Sequence, residues 1–146
     1  MKIIVAVDGS PCSEKAVRYL ATHLNLFQGN PEVTLLHVHH PIPGGVAVSR
    51  ARAIAGDAVV DEHYREEAKA QMVAAEKILT DQNIPFRSEY VISSDVAHEI
   101  DHHARTIGAD LIAMGSHGHG ALTNVVMGSV ATKVLASAQC PVLIIR

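Results

Sequence analysis

One hundred and forty-six residues are about one ordinary domain, long enough to bury about 70% of the surface of the unfolded chain without a disulfide or structural metal. Apolar residues make up 48%, unlike a disordered tail, and no apolar run approaches the roughly 20 residues of a membrane span. Twelve Lys and Arg against fifteen Asp and Glu leave a net charge of −3, and aromatics are 3% without tryptophan, which argues against a nucleic-acid groove, a base-stacking platform and a polybasic membrane anchor.

Lys2 to Val7 is a near-continuous aliphatic run, the mark of a strand buried on both faces of a parallel sheet. Asp8-Gly9-Ser10-Pro11 ends it, with Ser10 as helix cap and Pro11 as first helical residue. Ala16, Val17, Leu20, Ala21, Leu24 and Phe27 recur at helical spacing, and the helix is expected to end near Gln28-Gly29-Asn30-Pro31. Val33 to Val38 is the second strand. His39 to about Gly56 reads as a long irregular connection, of the kind that is functional or disordered. A helix from Asp57 to Asp81 carries Ala68, Met72, Ala75 and Leu79 in its apolar stripe, and Pro85 to Ile92 is a third strand nearer an edge. Asp95 to Ile107 is helical and stops at Gly108. Asp110 to Met114 is the fourth strand, Gly115 to Gly128 a glycine-rich segment, Ser129 to Ser137 a helix, and Pro141 to Ile145 the last strand.

Five strands joined by four crossovers predict an α/β fold, a single domain over 1–146 built on a doubly wound, Rossmann-like parallel sheet. Right-handed crossovers favour the order 3-2-1-4-5, with strands one and four adjacent at the centre. Ligands in such sheets sit at that reversal, beyond the carboxyl ends of the strands. The topology therefore points to Asp8-Gly9-Ser10 and to the glycine-rich segment.

That segment suits a phosphate. Its glycines permit positive φ and close backbone approach, and Gly128-Ser129 opens a helix whose first N–H groups and dipole favour an anion. The spacing Gly-x2-Gly-x9-Gly-Ser, formed by Gly115, Gly118, Gly128 and Ser129, resembles the ATP-binding signature of the universal stress protein family. So do the strand running into Asp8-Gly9-Ser10, the lead-in Asp110 to Ser116 and the closing stretch Gly128 to Ile144, so that the resemblance spans nearly the whole chain. The chain departs from the family after strand three, where Ser93-Ser94-Asp95 replaces a frequent Gly-x-Pro turn.

The resemblance implies an ATP- or AMP-binding, stress-response regulatory protein, commonly a homodimer. By motif match, Asp8 lies at the ribose end, Val38 offers backbone groups to adenine, and the turn of Gly115, Ser116, His117 and Gly118 with Gly128, Ser129 and Val130 holds the phosphates; Ser10 and Gly120 are further nucleotide-binding candidates. A Mg2+ ion would be bound through those phosphates. The segment lacks GxxxxGK[ST], an obvious acidic metal ligand or water-orienting base, and a placed arginine, so at most slow hydrolysis is expected and no catalytic residue is assigned. Two other readings are a dimeric interaction module that binds no nucleotide, and a hydrolase or transferase using the His-rich loop.

Ten histidines invite a metal reading, yet no metal site is expected. His98 and His102 stand four apart, but a wheel at about 100° per residue puts Ile100, Ala104 and Ile107 on the core arc and His98, Asp101, His102 and Arg105 toward solvent. His37 and His39 alternate to the face opposite His40, and a structural or surface role is expected, with His39 or His40 as possible neighbours of an adenine at Val38. His117 and His119 sit in the loop, where protonation would strengthen a phosphate contact. Cys12 and Cys140 form no CxxC pair, and Ile3 to Val7 is too short for a signal-peptide core, so a reducing, cytoplasmic setting is expected. Val142 to Ile145 is an apolar edge strand with only Arg146 beyond it, which predicts a homodimer through that strand.

Overall fold

The computed structural model describes residues 1–27, 29–41, 57–119 and 127–146, with 57–61 as backbone only. Strands β1 (Lys2–Ala6), β2 (Glu32–His39), β3 (Phe86–Ile92), β4 (Leu111–Gly115) and β5 (Val142–Ile145) alternate with helices α1 (Pro11–His23), α2 (Asp57–Asp81), α3 (Val96–Ile107) and α4 (Ser129–Ser137). The strands form one parallel sheet in the order β3-β2-β1-β4-β5, as the crossover rule predicts. Among the described residues no helix is long and apolar enough to cross a membrane.

β1 explains why its sequence is so uniformly aliphatic. Ile3, Ile4 and Val5 are fully buried, because consecutive side chains enter opposite layers. Ile3 and Val5 join Val17, Leu20, Leu35 and Leu79 under α1 and α2, whereas Ile4 joins Leu36, Ile100, Ile112 and Val134 under α3 and α4. Each such side chain contributes about 1.5–3 kcal/mol through burial. The edge strand β3 alternates half-buried and exposed positions, as a strand open on one side should.

Helix ends follow their caps. Ser10 Oγ accepts the Ser13 N–H at 3.2 Å and Pro11 occupies the first turn, while Asp95 Oδ1 accepts from His98 N at 3.2 Å. Gly108, at φ +65°, closes α3 in the left-handed conformation. α1 stops at His23, earlier than expected, and Leu24–Leu26 continues as a 3-10 turn. Leu24 and Phe27 still pack on the core, and a spacing of three suits both helix types, so periodicity could not locate the change.

The wheel fails at Asp101. It was expected to face solvent but is only 6% exposed, with Oδ2 3.1 Å from Arg105 Nη2. α4 packs against α3, and the segment after α4 brings Cys140 near Asp101, so the covered arc is wider than the sheet-facing stripe. His98 and His102 do face outward, their rings 6.2 Å apart and nearly parallel.

Candidate functional site

Beyond the carboxyl ends of β1 and β4, a cavity of about 380 Å³ opens on the α3 and α4 side of the sheet. β1 runs out through Val7 into Asp8, whose Oδ1 accepts the Ser10 N–H at 3.0 Å in a local Asx turn. Gly9 completes the turn at φ +74°, with the Gln71 carboxamide packed where a Cβ would stand. The positive φ is what favours glycine here, since the Gln71 side chain can move aside. It leaves Asp8 Oδ2 facing Gly118, where an added Cβ would lie 2.6 Å from that oxygen.

The opposite wall comes from the glycine-rich segment. Gly115 lets the first turn of α1 approach β4: a Cβ there would stand 2.7 and 2.8 Å from the Cys12 carbonyl carbon and oxygen. Gly128 folds back so that its N–H donates to Ser116 O at 2.7 Å, and a Cβ on it would meet the same oxygen at 3.1 Å. These three glycines therefore serve close approach. The positive φ expected for the segment is absent from Gly115, Gly118 and Gly128. Gly128 is also the N-cap of α4, and no side chain among the described residues caps that helix. The N–H groups of Ser129, Val130 and Ala131, which line the cavity, have no intrahelical acceptor.

Nine predicted site residues come together here: Asp8, Val38, Gly115, Ser116, His117, Gly118, Gly128, Ser129 and Val130 all line the cavity. Ser10 does not line it. It is 1% exposed, spends its hydroxyl on capping α1 and lies 3.4 Å from His117 O, so it buttresses the wall. Gly120 falls outside the described residues, as do most of the connection after His39 and part of the loop after His119. Sequence reading missed the apolar lining: Ala6, Leu36, Val96, Ile100 and Met114. Leu36 shares its face with Val38 by alternation, a usable signal, whereas Val96 and Ile100 enter from α3, past the Ser93-Ser94-Asp95 departure.

The histidines separate by position. His39 packs edge-on against Tyr64 of α2 at 5.3 Å and sets Nε2 3.2 Å from Glu67 Oε2, on the sheet face opposite the cavity. It therefore cannot flank a ligand at Val38, contrary to the expectation for it; His40 is exposed. His119 lies 2.7 Å from the Asp8 carbonyl oxygen, which can only accept, so Nε2 donates and ties the two loops together. Among the described residues no three or more His, Cys, Asp or Glu are grouped to hold a metal ion.

His37 is 5% exposed, and its Nδ1 donates to Val7 O at 2.9 Å. Burial, reinforced by nearby His39, holds its pKa below 6.5, against the opposing pull of the Val7 hydrogen bond and Asp8. The fold thus favours the neutral ring, and that contribution to stability is present above about pH 6.5 and is lost as pH falls toward the folded value. Urea titrations should give His37→Gln a flatter decline in stability between pH 7.5 and 5 than the parent. Parallel declines would remove His37 from the acid response.

The sheet order, with its reversal between β1 and β4, defines a doubly wound α/β protein with a cavity at the switch point. The model of the universal stress protein family matches residues 1–146, and the chain belongs to that family. It is 33% identical to universal stress protein YxiE of Bacillus subtilis over 99% of this chain and 98% of that one. It superimposes on UspA of Lactobacillus plantarum with a TM-score of 0.72 at 22% identity, covering 100% and 97% of the two chains. A universal stress protein of Archaeoglobus fulgidus, solved in complex with dAMP, is 26% identical with a TM-score of 0.64, covering 100% of this chain and 98% of that one.

Proposed function

We propose that the chain is an adenine-nucleotide-binding stress-response protein that holds AMP or ATP in the cavity between β1 and β4. The observation that carries this reading is the pairing, in one cavity, of an apolar slot with an uncapped helix N-terminus. Leu36, Val38, Val96, Ile100 and Met114 offer apolar walls to a base. Asp8 Oδ2 offers an acceptor to a ribose hydroxyl, and the N–H groups of Ser129 to Ala131, with the Ser129 hydroxyl, offer donors to phosphate. The dAMP held by the Archaeoglobus fulgidus relative supports the same assignment.

Holding, rather than turnover, is the function these groups favour. Among the described residues, the lining side chains that could manage charge are Asp8 and His117, without the lysine, arginine and paired carboxylates that phosphoryl transfer uses. With ATP, Mg2+ would be carried by the phosphates, since Asp8 is the one carboxylate among the described lining residues.

The partner proposed is a second copy, joined along β5. The two sheet edges differ in chemistry: β3 carries Arg87, Ser88 and Glu89, which discourage strand addition, whereas β5 is four half-buried aliphatic residues. One measurement reads both proposals. Native mass spectrometry of freshly purified protein should give about twice 15.6 kDa plus one adenine nucleotide per chain, identified after denaturation. Monomer mass at all concentrations would refute the dimer. Failure to carry or take up AMP at millimolar concentration would refute the binding site.

A further inference from the structure

The cavity has an unusual way of meeting an anion. Its described lining includes no lysine or arginine, and the one lining side chain able to become a cation is His117. His117 Nδ1 lies 2.8 Å from Ser116 Oγ, and Ser116, itself 1% exposed, faces the cavity. We propose, on the reading that the cavity holds a nucleotide, that the Ser116–His117 pair makes binding proton-linked: phosphate enters with uptake of one proton on His117.

The chemistry lies in which partner donates. When Nδ1 is bare it accepts the Ser116 hydroxyl hydrogen, and Oγ then has no donor left for a ligand. When the ring is protonated, Nδ1–H donates to Oγ, and the hydroxyl hydrogen is released to turn into the cavity. Starting from the neutral ring with its hydrogen on Nε2, one proton adds a positive charge beside the phosphate and a second donor aimed at it, and charge-assisted bonds of this kind are about twice as strong as neutral ones. Imidazole is the side chain that makes this exchange near neutral pH.

The surroundings of His117 set the balance. From the β1–α1 turn, Asp8 lines the same cavity, while Ser10 Oγ lies 3.4 Å from the His117 carbonyl oxygen. From the same loop, His119 adds a second imidazole, bonded to Asp8 O. From the β5 side, Ile145 O accepts the Ser116 N–H at 2.8 Å, and Arg146 follows in sequence. Cys12 of α1 abuts Gly115 through its backbone. The residues lining the cavity from α3 and α4 (Val96, Ile100, Ser129, Val130 and Ala131) bring no charge. A dianion arriving beside the ring favours its protonated form.

The test compares AMP binding to the parent and to His117→Gln by calorimetry between pH 6 and 8, in buffers of different ionisation enthalpy. The second ionisation of a phosphate ester, near 6, affects both proteins alike and cancels in the comparison. The parent should take up more protons per AMP than the variant. The ratio of variant to parent Kd should rise from near one at pH 8 to about tenfold at pH 6, within the limit for one linked proton. Ser116→Ala keeps the ring and its charge but deletes the hydroxyl, and should show a smaller pH-dependent gain than the parent; a gain equal to the parent's would overturn the donor switch. Equal proton uptake and a constant Kd ratio in a folded variant would overturn the linkage while leaving nucleotide binding intact. Absence of AMP binding to the parent at every pH would instead overturn the reading beneath it.

Discussion

Gly118→Val should yield a folded protein whose affinity for AMP is at least about 100-fold weaker, a loss of about 2.7 kcal/mol. A Cβ at this position stands 2.6 Å from Asp8 Oδ2, so the carboxylate must swing aside. Doing so removes the acceptor offered to a ribose hydroxyl and strains the 3.0 Å bond from Ser10 N to Oδ1. The two further methyl groups occupy the mouth of the cavity. The fold itself should survive, because Gly118 is exposed, its φ is not positive, and the clashing group is the end of a side chain. Spacing alone marks Gly118 for close backbone approach to a phosphate; the structure puts Asp8 in the path of a side chain there. Isothermal calorimetry with AMP checks the affinity, and thermal unfolding checks the fold. Parental affinity in the variant would show that neither Asp8 nor the mouth of this cavity takes part in binding.

Gly115→Ala should do the reverse, costing about 3 kcal/mol of stability or preventing folding. The added Cβ would lie 2.7, 2.8 and 2.9 Å from the Cys12 carbonyl carbon, its oxygen and the Ser13 nitrogen. These are main-chain atoms of the first turn of α1 and cannot rotate away. Relief requires α1 to move off β4, opening the layer that contains Val17 and Leu20. Interiors packed as densely as crystals absorb such a shift poorly. The urea midpoint should fall accordingly, and an unchanged midpoint would mean that helix and strand do not approach so closely. The two substitutions lie three residues apart in one motif, yet one is read by ligand and the other by denaturant.

Much of this architecture is legible in the sequence because burial demands it. A strand covered on both faces must be aliphatic throughout, which marks β1 and β4, and the handedness of crossovers then orders the sheet. The site's position follows from that order, and its glycines from their spacing. What the chain does not disclose is how separate elements lean on one another. Asp101 is buried near Cys140, which belongs to a segment distant in sequence and absent from the pattern of α3 alone. Val96 and Ile100 reach the cavity for a similar reason. His39 is a different case: alternation already set it opposite Val38, and a strict use of parity would have excluded it from the ligand's side.

Helix α4 begins on a residue without a side chain, and so its opening turn is left unfinished by the polypeptide. Serine or aspartate at that position would complete the helix internally and occupy the directions a guest needs. Glycine keeps the vacancy open at little thermodynamic penalty, since it ranks close behind the polar residues as a cap. Whatever docks there acts as a borrowed piece of secondary structure, so occupancy can be felt along the helix axis without any hinge or moving lid.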